Sequence, residues 1–534
     1  MRKIVAVIFA TITMLIGISG CSDKNNTPDK QTIYYNTDSE PVSLDPQIAA
    51  DNSARLVVMN IFEGLTRLGE NNEPVPGAAE KWSVNSDKTV YTFTLRKDLK
   101  WSDGERLYAS DFIYGIRRAL LPDTGSALAG DLFMIKNAEA VNSGKKTPDE
   151  LGLELVDENT LKITLEHPDA NILYELSQPE SMPCCESFFK ECKGQYGREG
   201  NMIRSNGAFT VGEYGWSHNE YIRLSRNENY TGEKKPVPSG VYITIGAEYE
   251  SITDSISDGT LDCYELPGEE VEKAEKNNLT LTSFGDTVWG IAFNTKHEIY
   301  KNTDIRRALL SALDRTRLLS QLPKGSRAAA GIIPDSALLD GKSYRSTAGS
   351  LDLDYYSDTA RTDLARAVKG AKLTDLTINM ICPDDDSVQP TVNSIMEQWN
   401  GVSGKFVNKI PVPREKLSEY IKNGDYGVVI VPLKTTGNTP LDTLSLFRST
   451  SDKNPSSLCD SVFDDMLKSI EQGAQKPDTT AYAEKYLCDT AVFYPLYIEN
   501  RYYASSPDIT GILFHPFGAE ADFIYAEKTP GDKD

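Results

Sequence analysis

The chain has 534 residues, 39 % apolar and 25 % charged, with a formal net charge of −22. That length allows three or four domains at roughly 150 residues each, and the composition is ordinary for a globular protein. The negative balance argues against nucleic acid, whose phosphates need Lys and Arg to displace their counterions.

Arg2 and Lys3 precede an apolar run from Ile4 to Ile18. The run is shorter than the about 20 residues of a bilayer span and fits the apolar stretch of an export signal. It ends Ile18-Ser19-Gly20-Cys21, which resembles a bacterial lipobox, whose cysteine is acylated and becomes the mature N-terminus. Residues 1–20 are therefore expected to be a lipoprotein signal peptide. Residues 21–31 are expected to be a flexible tether, because Ser22 to Lys30 is polar throughout. The expected location is the outer face of the cytoplasmic membrane, with a lipid on Cys21. Beyond Cys21, Cys184, Cys185 and Cys192 cluster, while Cys263, Cys382, Cys459 and Cys488 are scattered. An odd number cannot all pair. Mostly free thiols are expected, with at most one bridge, from Cys184 or Cys185 to Cys192.

Gln31 to Asn36 reads as a first strand, followed by turn chemistry at Asp45-Pro46. In Val90 to Leu95, Tyr91, Phe93 and Leu95 alternate with Thr92 and Thr94, a half-buried strand. Ser110 is placed to cap a helix whose Phe112, Ile113, Ile116 and Leu120 share a face. Asp131 to Val141 reads as helix, Leu151 to Pro168 as a hairpin and Asn171 to Leu176 as a short helix. Val241 to Ile245 is a strand, and Ile252 to Pro267 a helix, turn and strand.

Trp289 to Thr295 is a further strand. Asp304 would cap a helix to Arg315, with Ile305, Leu309, Ala312 and Leu313 inward and Arg306 and Arg307 on a solvated face. Asp358 to Gly370, Thr391 to Trp399, Pro413 to Lys422 and Ser461 to Gln472 follow as helices. Leu373 to Met380, Val428 to Val431 and Tyr494 to Tyr503 follow as strands.

No catalytic arrangement emerges. There is no G-x-S-x-G elbow and no nucleotide-binding G-x-x-x-x-G-K-[ST]. The four histidines (His167, His218, His297, His515) form no metal motif, and Asp384-Asp385-Asp386 lacks the remaining ligand spacing of a calcium loop. No enzyme activity, cofactor or metal is expected.

The wording of the chain is more specific. FEGLTRL, PVPGAAEKW, YTFTLRKDLKWSDGE and DFIYGIRRAL occur in order between Ile61 and Leu121. With Asn206 to Tyr230 and DIRRALLSALDR (Asp304 to Arg315), they resemble the peptide-type, family 5 extracellular solute-binding proteins of ABC importers. The resemblance covers nearly everything after residue 31. It implies an α/β fold, a two-lobed periplasmic-binding-protein-like clamp (class II, peptide-binding type) with an extra α+β domain inserted in the first lobe. Lobe I would comprise residues 32–76, 205–291 and 496–534, the insertion 77–204, and lobe II 292–495.

The function implied is capture of an oligopeptide or peptide-like solute outside the cell, for delivery to permease subunits by a monomeric, lipid-anchored protein. A ligand-sensing surface lipoprotein and a nickel-chelate binder are the alternatives. The resemblance implies ligand contacts from Ala49, Ala50, Asp51 and Asn52, from Tyr264 and Glu265, from Trp289, and from Lys434, Thr435 and Thr436. Members that hold free peptides pair the α-amine with an Asp just after a core strand of the second lobe. Alignment on Pro440 and Leu446-Phe447 puts Thr436 at that position and Leu433 where the family often has Trp. A hydroxyl offers no counter-charge to an ammonium, and Lys434 adds a positive charge. Poor binding of free N-termini is the expectation, with Asp442 or a residue near Asp262 to Glu265 as the alternative carboxylate.

Overall fold

The computed structural model describes residues 31–529, except 71, 170, 233, 340–341, 375, 405–406, 436, 473–475 and 518–519. The signal segment, Cys21 and Thr436 lie outside the described residues. Among the described residues, no helix is long and apolar enough to cross a membrane.

Three sheets organise the molecule. In the first, Thr32–Thr37 runs parallel to Gly240–Ile245, followed by antiparallel Tyr221–Arg226 and Phe209–Ser217. The second is antiparallel, in the order Ala79–Val84, Val90–Leu95, Thr160–Thr164, Leu153–Asp157. Its predicted alternation is realised: Tyr91, Phe93 and Leu95 are buried. The third sheet is ordered Cys263–Leu266, Phe493–Ser505, Thr280–Phe293, Val428–Leu433, Asn379–Pro383, Asn408–Val412, with Arg327–Ala328 added on Phe493–Ser505.

The protein is a two-lobed α/β clamp with two main apolar cores. One runs from Ile33 to Cys263 and takes in the chain again from Tyr503 to Ala526. The other spans Val288 to Ile498. The inserted sheet has no core of its own: Phe93, Phe112 and Leu161 pack in the same cluster as Ile33 and Val241.

Several local expectations are corrected. The helix Ala109–Leu120 starts one residue before Ser110, and its first turn is closed by the Asp111 carboxylate, which accepts the Tyr108 N–H at 2.9 Å. The helix expected from Asp131 to Val141 is broken into a 3-10 turn, Ala129–Leu132, and a short helix, Ala138–Asn142. Between them Asn137 takes φ 65°, a left-handed backbone that stops a right-handed helix. The strand expected at Leu373 to Met380 forms only at Asn379–Pro383. The helix after Asn302 is Thr303–Leu310, capped by the Asn302 side chain rather than Asp304.

Arg306 is the largest correction, because it is buried rather than solvated. Its guanidinium donates to Tyr300 O at 2.7 Å, Thr490 O at 2.6 Å and Ala491 O at 3.0 Å. The last two carbonyls lie just past the end of the helix Pro477–Asp489, where a cation is favoured. Asp45 is also structural. It accepts the Gln47 N–H and pairs with buried Arg118 at 2.6 Å. All seven described cysteines are free, so neither Cys184 nor Cys185 is bridged to Cys192.

Candidate functional site

Two long strands, Thr280–Phe293 and Phe493–Ser505, link the lobes. They pair antiparallel from Thr280 opposite Ser505 to Ala292 opposite Phe493, with irregular register between Gly285 and Thr287 and between Trp289 and Gly290. One extra residue in a ladder bends and twists it. Asp286 occupies the first irregularity and holds Arg501 of the opposite strand in an ion pair of 2.8 Å, both side chains buried or nearly so.

Beside these strands is a recess of about 680 Å³, lined among others by Asn36, Asp38, Tyr249, Tyr264, Glu265 and Glu520. That volume is within the range of small-molecule and peptide side-chain sites. Its polarity follows from where the strands end. Asp38 directly follows the strand Thr32–Thr37, and Tyr264 donates its hydroxyl proton to Asp38 while accepting from Asn36 Nδ2 at 3.2 Å. Glu265 lies next to Tyr264 on the edge strand Cys263–Leu266. Burial pushes its carboxyl up to about 7; Arg501 and Lys434 pull the other way, and Glu520 and Asp286 reinforce the rise. Glu520 is raised for the same first reason, against the pull of Arg501.

The residues expected at the site fall into separate groups. Tyr264 and Glu265 line the recess. Lys434, exposed at the end of Val428–Leu433 in the second lobe, acts electrostatically on both Glu265 and Glu520. Thr435 is half-buried and donates to Gly437 O at 3.1 Å. Ala49 is fully buried, Ala50 and Asn52 are exposed, and none of these three lines the recess. Asp51 caps the helix Asn52–Ile61 by accepting the Ala54 N–H at 2.8 Å.

Trp289 has no exposed surface. Its indole donates to Glu499 Oε2 at 2.8 Å, stacks on Tyr497 and lies under the Arg414 guanidinium. Asp442 is engaged locally. It accepts from the Thr439 N–H and hydroxyl, each at 2.7 Å, at the start of the helix Pro440–Ser445, and burial raises its carboxyl to about 6.

Sequence reading did not find Asp38, Tyr249, Glu520 or Arg501. Asp38 had a usable signal, because strand ends in open α/β sheets border ligand crevices. Glu520 is far along the chain and is brought in only by the final return to lobe I.

Residues 73–455 match the family described as "Bacterial extracellular solute-binding proteins, family 5 Middle". The dipeptide-binding protein DppE of Bacillus subtilis (strain 168) is 27 % identical over 530 residues, covering 96 % of this chain and 94 % of that protein. The oligopeptide-binding protein OppA of the same organism is 26 % identical over 527 residues, 95 % of each. The crystal structure of the substrate-binding domain of an oligopeptide ABC transporter from Bacillus anthracis str. Ames superimposes with a TM-score of 0.69 at 28 % identity. It covers 94 % of this chain and 99 % of that one. The two cores, the paired crossing strands and this match over most of the chain agree: the protein belongs to the family 5 bacterial extracellular solute-binding proteins, which bind rather than catalyse.

Proposed function

We propose that the protein captures a peptide or peptide-like solute outside the cytoplasmic membrane and delivers it to the permease of an ABC importer, held to the membrane by a lipid on Cys21. The observation that carries the reading is the near full-length similarity to dipeptide- and oligopeptide-binding proteins. Two cores joined by bulged crossing strands, with a polar recess beside them, suit a clamp that encloses its ligand. Of the ligand contacts expected from the sequence, Ala49 and Trp289 are fully buried, which leaves Ala50, Asp51 and Asn52, Tyr264 and Glu265, and the segment Lys434 to Thr436 as the proposed shell.

The end of the ligand that meets this last segment should be uncharged. Thr436 offers only a hydroxyl, and Lys434 brings a positive charge to the second-lobe wall. An ammonium enclosed there without a counter-charge would cost several kcal/mol. Calorimetry on matched pairs of free and N-acetylated peptides tests this. The acetylated member should bind at least tenfold tighter, about 1.4 kcal/mol. Consistently tighter binding of the free amines would reject the selectivity. Failure of both series, with a different compound released from the purified protein and identified by mass spectrometry, would reject the peptide reading itself.

A further inference from the structure

Away from the recess, three acidic side chains converge on the first-lobe side of the molecule. Asp131 lies in the 3-10 turn Ala129–Leu132, Glu175 closes the short helix Ile172–Glu175, and Glu180 lies in the turn Pro179–Ser181. One carboxylate oxygen from each lies within 4.8 Å of the others. Acidic clusters on surfaces are common and need no ligand. This one differs because Glu180 is fully buried and no hydroxyl, side-chain amide or cation holds either of its oxygens among the described residues; its hydrogen-bonding neighbour is the Glu175 carboxyl. Glu175, also buried, accepts one bond, from Asn171 Nδ2 at 2.7 Å. Two buried carboxyls in contact, with no cation paired to either, are costly to keep charged.

Arg55 does not resolve the deficit. It is buried and close enough to draw on these carboxyls, yet its guanidinium donates to Gln178 Oε1 at 3.1 Å. No ion pair within 4.0 Å joins it to any of the three among the described residues. A further carboxylate, Asp442, adds negative potential at Glu175. Asp131 is exposed, so the cluster has a mouth open to solvent.

We propose that Asp131, Glu175 and Glu180 form a binding site for a divalent cation of calcium size. The donor set supports this identity: calcium takes about six to eight oxygen ligands in flexible geometry, whereas magnesium demands a near-ideal octahedron, keeps several waters and is usually held by only one or two carboxylates. The cation would satisfy the Glu180 carboxylate, and water entering past Asp131 would complete the shell. It would also screen the Asp442 carboxylate of the second lobe from the first-lobe acids. The competing account is a proton shared between Glu175 and Glu180, which needs no metal.

The test uses chelator-treated protein, without peptide, at pH 7.5. Titration with calcium chloride should show one equivalent bound and a melting temperature that rises with calcium concentration, with magnesium at least tenfold weaker. Glu180→Gln should lose at least tenfold in calcium affinity. Asp131→Asn, at an exposed position that folding tolerates, should weaken it in the same direction, while Asp38→Asn in the recess should leave it unchanged. No calcium uptake at millimolar concentration by folded parent protein would overturn the proposal and favour the shared proton. Unaltered uptake in both Glu180→Gln and Asp131→Asn would overturn it too.

Discussion

Arg306 and Arg307 adjoin on one helix and have opposite fates. Arg306 is buried and satisfies three backbone carbonyls, whereas Arg307 is exposed and donates to Asp489 O alone. Removing a donor from buried acceptors leaves each with its desolvation cost, about 1–3 kcal/mol. Arg306→Ala should therefore destabilise the protein by about 3 kcal/mol or more, and Arg307→Ala by about 1 kcal/mol or less, measured as shifts in urea midpoint. Equal effects would contradict the burial argument. Glu265 carries a second prediction at this scale. Its folded pKa is raised from 4.5 to about 7, so between those values the folded state holds a proton the unfolded state has lost. Stability then falls as pH rises through that window. Glu265→Gln abolishes the contribution. Relative to the parent, the variant should gain on the order of 1–3 kcal/mol between pH 4.5 and 8. A parallel pH profile for the two proteins would show that the carboxyl titrates normally.

Backbone contacts set the element-scale behaviour. A Cβ added to Gly290 would lie 2.3 Å from the Phe493 ring and 2.6 Å from Tyr494 O, the latter being backbone that cannot swing aside. Gly290→Ala should cost about 1–3 kcal/mol by overpacking. Gly401, exposed in the helix Gln389–Ser403 with open space around its Cβ position, should respond with the opposite sign. Gly401→Ala should stabilise by about 0.5–1 kcal/mol. Paired denaturant curves decide both. Nothing in the sequence separates these two glycines, because the difference lies in what the fold brings opposite each. The same boundary limits the rest of the reading. Period-two strands such as Val90–Leu95 and the amphipathic helix Ala109–Leu120 were legible because their patterns are local. The break at Asn137 and the burial of Arg306 were not, because one depends on a single left-handed residue and the other on carbonyls more than 180 positions away. At the candidate site, Tyr264 and Glu265 could be read from the resemblance, whereas Asp38 and Glu520 meet them only through tertiary structure.

At the scale of the molecule, the question is where the two lobes can move. The first core ends at Cys263 and resumes at Tyr503; the second begins at Val288 and ends at Ile498. The stretches between them, about Gly285 to Thr287 on one crossing strand and Glu499 to Arg501 on the other, belong to neither core and contain the Gly285–Thr287 irregularity. Bending concentrated there would move one core against the other without disrupting either, a hinge of the usual kind. A ligand that touches both lobes favours the closed form by the contacts it makes only there. Lys434 belongs to the second lobe and acts on Glu265 and Glu520 of the first, so it adds an electrostatic attraction across the cleft. Exposed charges are screened beyond a Debye length of about 8 Å at physiological ionic strength, which makes this contribution modest and salt-dependent. Small-angle scattering should show the radius of gyration falling when the native ligand saturates the parent protein. Lys434→Glu should bind that ligand more weakly, with a deficit that shrinks as salt is raised, and should still reach the compact radius at saturation, because the hinge itself is intact. A parent radius unchanged by saturating ligand would rule out closure, and a salt-independent deficit in Lys434→Glu would assign Lys434 a direct ligand contact instead.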